Sequence, residues 1–118
     1  MNNKEMTQFL EGGWQLSGWR IEYEDGKHTL PFGDNAIGLI VYARDGTMSV
    51  TISKNDRRKL DTSNPRHVDD STKADLYDSF FHYSGTWKTR NGSVHHSVRF
   101  ALNPNLQDTI QILSLIHI

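Results

Sequence analysis

No cysteine occurs among the 118 residues, which excludes disulfide staples, thiolate metal sites and cysteine nucleophiles together. Neither sign of charge dominates, with 13 Lys and Arg facing 14 Asp and Glu. A chain so balanced builds no large positive field of the kind that nucleic acids or anionic membranes favour, so neither is expected as a partner. The one basic knot, Lys54, Arg57, Arg58 and Lys59, is interrupted by Asp56 and bordered by turn formers, the pattern of a solvated loop. No hydrophobic run approaches the length of a membrane span. The first ten residues lack the apolar core of a signal peptide, and a soluble, cytoplasmic domain is the expectation. The length fits one small domain. Hydrophobic residues make up only 36%, yet Trp, Tyr and Phe supply 10% of the chain, large units of burial that separate it from a disordered composition.

What is present reads as an antiparallel meander. Met6, Phe9 and Leu10 are spaced i, i+3 and i+4, so a short amphipathic helix is expected before Gly12-Gly13. Trp14 to Tyr23 then reads as one long strand, and Asp25-Gly26 as a hairpin turn with a return strand from Lys27 toward Phe32. Ile37 to Ala43 is a near-continuous apolar run. Across Asp45-Gly46, Met48, Val50 and Ile52 alternate with Thr47, Ser49, Thr51 and Ser53, which predicts a sheet with one packed and one wetter face. Lys54 to Arg66 is polar and reads as a loop. Asp69-Asp70-Ser71 offers capping oxygens, and Leu76, Tyr77, Phe80, Phe81 and Tyr83 share one side of a helical wheel. One amphipathic helix near 70–83 is therefore expected, with Gly85 as its stop. A last hairpin turns at Asn91-Gly92, and its return strand places Val94, His96, Val98 and Phe100 on one face.

The final six residues, Leu113-Ser114-Leu115-Ile116-His117-Ile118, break this pattern: they are almost wholly apolar and contain no turn signal. They are also what one reading frame of a transposon end used in sequencing-library preparation encodes. The expectation is a single domain over 1–112 followed by a non-native tail over 113–118. The alternative is an ordinary terminal strand from Thr109 to Ile118, which the β-branched residues suit.

Gly12-Gly13-Trp14, placed after a short helix and opening the first strand, resembles the Gly-x-Trp signature of lipocalins. Pro31-Phe32-Gly33, Gly38-Leu39-Ile40-Val41-Tyr42 and Asp45-Gly46-Thr47-Met48-Ser49 are similar, in order and spacing, to the bacterial and fungal lipocalin-like domain family. Ser84-Gly85-Thr86-Trp87, Val94-His95-His96-Ser97-Val98 and Asn103-Pro104-Asn105 continue the likeness, which spans Phe9 to Gln111. The resemblance implies a mainly β protein, an up-and-down barrel in which Trp14 closes the base. It also implies two or three further strands and an Arg over the base Trp, for which this chain has no counterpart. The expected barrel is thus incomplete at its C-terminus, with open edges that admit pairing with a second copy.

Six histidines invite a metal, but His95 and His96 are adjacent on a strand and point to opposite faces. No His-x-His or His-Glu-x-x-His is present, and neither a metal nor another cofactor is expected. His82 reads as a surface residue one helical turn after Asp78. His96 shares its face with apolar residues. It would either orient a ligand and serve as an acid or base, or be a core histidine satisfied by a neighbour. Ser49, Ser53, Ser84 and Ser97 lie on strands without a Gly-x-Ser-x-Gly elbow. Asp69-Asp70 and Glu24-Asp25 are explained by caps and turns.

The expected function is a binding module whose interior holds a small apolar or aromatic molecule, with Trp19, Tyr42, Met48, Trp87 and His96 as wall residues. The alternative is a small-molecule isomerase or cyclase in which His96 or Tyr42 is the catalytic group.

Overall fold

The computed structural model describes residues 2–114. Helix α1 (Asn3–Leu10) starts where the Asn2 side chain accepts a hydrogen bond from the Glu5 amide at 2.8 Å, satisfying one of the first-turn donors a helix leaves open. It buries Met6 and Leu10, two of the three residues in the expected apolar stripe. Phe9 stays 55% exposed and leans on Trp14, with ring centroids 5.5 Å apart.

Strand β1 (Gly12–Leu16) is followed by two short strands, β2 (Ile21–Glu22) and β3 (His28–Thr29), which pair only with each other. Next come β4 (Ile37–Tyr42), β5 (Thr47–Ser53), helix α2 (Asp70–Asp78), β6 (Phe80–Arg90), β7 (Ser93–Ala101) and β8 (Ile110–Ser114). The main sheet has the order β1-β4-β5-β6-β7-β8, antiparallel at every pairing. Among the described residues its end strands, β1 and β8, do not pair, so the sheet curls into an incomplete barrel. No helix among them is long and apolar enough to cross a membrane.

Two tight turns set the register. In the β4–β5 turn, Gly46 takes φ 96° and the Asp45 carboxylate accepts from the Thr47 amide at 3.0 Å and hydroxyl at 2.7 Å. In the β6–β7 turn, Asn91 and Gly92 both take positive φ, 52° and 81°, the backbone that a two-residue hairpin requires. Register then decides which side chains face inward. Ile40 and Tyr42 of β4, Met48, Val50 and Ile52 of β5, Tyr83 and Trp87 of β6, and Val94, His96 and Val98 of β7 are all buried. The alternation expected for β5 is the one observed.

Several expectations differ from the structure. The strand expected over Trp14–Tyr23 breaks after Leu16, and its return strand shrinks to two residues. The helix expected near 70–83 ends at Asp78, and Phe80 to Tyr83 open β6 instead. Phe81 and Tyr83 also satisfy a period of two, and pairing of Phe80–Thr86 against β5 outweighs the local helical option. As a result α2 buries no residue. Gly85, read as a helix stop, lies inside β6. His82 is a strand residue whose Nδ1 lies 3.0 Å from Thr51 Oγ1, not a helical partner of Asp78. Finally, Phe100 does not share the face of His96: it is 61% exposed.

The cause of that last difference is a β-bulge. Gly85 pairs with Val98 and Ser84 with Phe100, leaving Arg99 as the extra residue on β7. Beyond it the strand changes phase, so Phe100 turns out. Gly85 permits the bulge, because a Cβ there would strike the Ser97 carbonyl oxygen and crowd the Arg99 amide. Residues 115–118 of the expected tail lie outside the described residues. Leu113 and Ser114, its first two, continue β8 and pair with Val94 and Ser93.

Gly85→Ala is expected to lower stability by roughly 1–3 kcal/mol, the cost of forcing extra volume against fixed backbone. Gly18→Ala, where an added Cβ meets nothing, should stay within about 0.5 kcal/mol of the parent. Paired chemical-denaturation curves measure both. Equal midpoints for the two variants would contradict the close approach of β6 and β7.

Candidate functional site

The inward faces of β4, β6 and β7 converge on His96, which has no exposed surface. Its Nε2 lies 2.7 Å from Tyr42 Oη and its Nδ1 2.7 Å from Tyr83 Oη, so both ring nitrogens are satisfied by phenols. β4 is separated from β7 by two strands in the sheet order. The Tyr42–His96 bond therefore crosses the interior and is made only because the sheet curls.

Burial fixes the protonation of this array. Desolvation draws the His96 imidazole down from its ordinary value to about 4, and among the described residues no carboxylate bonds to it to stabilise a cation. Burial pushes both phenols up, and for Tyr42 the nearby Tyr83 adds to the effect. All three groups are neutral across the physiological range. A neutral imidazole has one N–H donor and one acceptor nitrogen, so one phenol donates to it and the other accepts from it.

Aromatic rings extend the array in both directions. Trp87 packs on Tyr42 at 4.7 Å between centroids. On the other side Phe81 meets Tyr83 at 5.6 Å, Trp19 meets Phe81 at 4.9 Å, and Phe32 meets Trp19 at 5.0 Å. The tilted and edge-on geometries are those favoured by ring quadrupoles. The Trp87 end is closed. Its Nε1 donates to the Ala43 carbonyl at 2.8 Å, Trp14 Nε1 donates to the Leu10 carbonyl at 2.9 Å, and Thr7 of α1 meets Thr89 of β6 at 2.6 Å. At the opposite end Trp19 and Phe81 are partly buried.

Of the five residues singled out from sequence, the structure brings Tyr42, Trp87 and His96 into direct contact. Met48 lies on the same face, in register with Tyr42 on one side and Gly85 on the other. Trp19 stands apart and reaches the array only through Phe81 and Tyr83. Tyr83, expected on a helix, joins the array from a strand. The alternation Phe81, Tyr83, Gly85, Trp87 was the signal for a strand. His95 faces away from His96, as adjacency on a strand requires. No group of three or more potential ligands that could hold a metal occurs among the described residues.

Two clefts, of about 520 and 560 Å³, flank α1 at the closed end. Both are shallow and polar-rimmed, bordered by Gln8, Glu11 and Arg44. They touch Trp87 and Tyr42 from outside and do not reach His96.

A curled, open antiparallel sheet with a Trp-sealed base and a short N-terminal helix is the architecture of a small calyx. The family model of the lipocalin-like domain matches residues 11–115, and the chain belongs to that family. No curated protein and no solved structure matches it.

The neutral His96 makes stability depend on pH with a definite sign. Its folded-state value lies below the unfolded one, so unfolding takes up a proton once the pH falls below about 6.5. The stabilisation is complete above that pH and is lost as pH drops toward 4, amounting to about 3 kcal/mol over the window. Subtracting the pH–stability curve of His96→Gln from that of the parent should isolate this slope. A flat difference would mean that His96 is charged, or solvated, in the folded protein.

Proposed function

We propose that the protein binds a small, neutral, largely aromatic molecule at the open end of the curled sheet, against Trp19, Phe32 and Phe81, with the Tyr42–His96–Tyr83 array as the polar floor. The observation that carries this reading is the line of rings leading inward from Trp19 to the buried His96. Ligand sites in small β-calyces combine an apolar aromatic wall with a few fixed polar groups that set orientation. Membership of the lipocalin-like domain family supports small-molecule binding in general. The aromatic wall supports the narrower class.

The chemistry of the array favours binding over catalysis. A general acid or base works best when its pKa lies near the operating pH, whereas burial moves His96 and both phenols away from neutrality in opposite directions. A proton relay through the three groups would need a ligand far more acidic or basic than a neutral aromatic.

The test is titration with phenylnaphthylamine, a neutral fluorophore that brightens in apolar surroundings. Saturable one-site binding is expected, and Phe81→Leu or Trp19→Leu should weaken it by about tenfold, the loss of one aromatic anchor. Lys88→Ala, in the cleft beside α1, should leave it unchanged. No saturable binding, or a larger effect of Lys88→Ala than of Phe81→Leu, would sink the reading.

A further inference from the structure

Two phenols bonded to one imidazole, with an indole packed beside them, form a set of groups that can lose an electron together. Removing an electron from a phenol turns its hydroxyl into a strong acid. In a desolvated interior that proton is trapped unless a base is already bonded to it. A neutral imidazole carries one N–H and one bare nitrogen. One of the two tyrosines therefore donates its O–H to His96 across a 2.7 Å contact, and the other accepts from it.

The chemistry is the same whichever tyrosine donates. Its proton passes to the bare nitrogen and it becomes a neutral phenoxyl radical. The imidazolium then keeps both N–H groups on oxygen, one on the radical and one on the other tyrosine, so the transfer strands no hydrogen of the ring. Burial disfavours that cation, which drives the proton back once the electron is restored. An electron has a marked way out: Trp87 packs on Tyr42 with centroids 4.7 Å apart. Trp87 also borders the cleft of about 520 Å³ beside α1, with Lys4, Thr7 and Thr89.

We propose that Trp87, Tyr42, His96 and Tyr83 form a proton-coupled electron relay that reduces a one-electron oxidant of the peroxyl-radical class at the cleft beside α1. The peroxyl radical takes one electron from the relay and a proton from water, giving a hydroperoxide and hydroxide. The donating tyrosine loses its electron through Trp87 and its phenolic proton to His96. A one-electron reductant such as ascorbate returns the electron by the same route, and His96 returns the proton. The relay is independent of the aromatic-ligand reading and uses the opposite end of the array.

The test uses the full chain in a Tyr23→Phe, Tyr77→Phe background. Both of those rings are exposed, and Tyr42 and Tyr83 are then the remaining tyrosines. Ruthenium tris-bipyridine with persulfate under blue light supplies the oxidant, and electron paramagnetic resonance reads the neutral tyrosyl radical. A tyrosyl signal is expected, forming more slowly in heavy water because a proton moves with the electron. His96→Gln keeps a hydrogen-bonding side chain but no base, and should slow formation about a hundredfold, the usual worth of a positioned proton acceptor. Trp87→Phe keeps a ring that does not oxidise and should also slow it. Two variants that each remove a single hydroxyl give a milder comparison. Tyr83→Phe leaves Tyr42 as the donor beside Trp87 and should keep at least the parent rate, whereas Tyr42→Phe should lower it. A water-soluble azo initiator, a source of peroxyl radicals, should give the same signal as the photo-oxidant.

Absence of a tyrosyl signal in this background overturns the relay. An unchanged rate in His96→Gln overturns the part given to the imidazole. An unchanged rate in Trp87→Phe, or a faster one in Tyr42→Phe than in Tyr83→Phe, overturns entry through the cleft. A signal with the photo-oxidant but none with the azo initiator overturns the peroxyl class.

Discussion

A fully buried neutral histidine held by two phenols is the constraint on which the rest of this structure depends. Its bond to Tyr42 joins β4 to β7 across the interior, between strands that are not neighbours in the sheet. A flat sheet could not make that contact. An imidazole so placed must have both nitrogens satisfied, because the cost of a stranded buried polar atom exceeds the gain from a typical hydrogen bond. The curl of the sheet and the chemistry of its centre therefore support each other, and loosening one exposes the other.

Backbone features at some distance allow that centre to form. The bulge opposite Gly85 changes the phase of β7 after Val98, so Val94, His96 and Val98 face in while Phe100 faces out. A bulge also increases local twist, which helps a sheet close on itself. At the other end α1 and the two indoles act as a plug: each Trp N–H takes a backbone carbonyl, so large apolar rings seal the base without stranding their polar edge. On the binding reading proposed above, the partly buried rings at the opposite end are where a ligand would approach.

How far the sequence could be read is clearest at particular residues. The alternation of Met48, Val50 and Ile52, the Asp-Gly and Asn-Gly turns and the Gly-Trp opening were legible, because a period of two and positive-φ turn residues are local signals. Tyr42, Trp87 and His96 could be named from the same alternation, but nothing local says that they touch. Tyr83 was not legible. Phe80 to Tyr83 satisfies a helical wheel and a strand equally, and only pairing with β5 selects between them. The outward turn of Phe100 was hidden for a related reason, since a bulge alters the phase of a strand without altering its composition.

By itself, then, the sequence determined an antiparallel, mainly β chain of the lipocalin-like kind, its turns, its short N-terminal helix and most of its inward-facing residues. These follow from short-range sterics and from the pattern of apolar residues. Tertiary structure alone decided that Phe80 to Tyr83 are strand, that Phe100 leaves the core, and that Tyr42 and Tyr83 meet on the two nitrogens of His96. Those outcomes depend on strands far apart in the chain being brought together by the curl of the sheet, and on a desolvated imidazole whose partners exist only once that curl has formed.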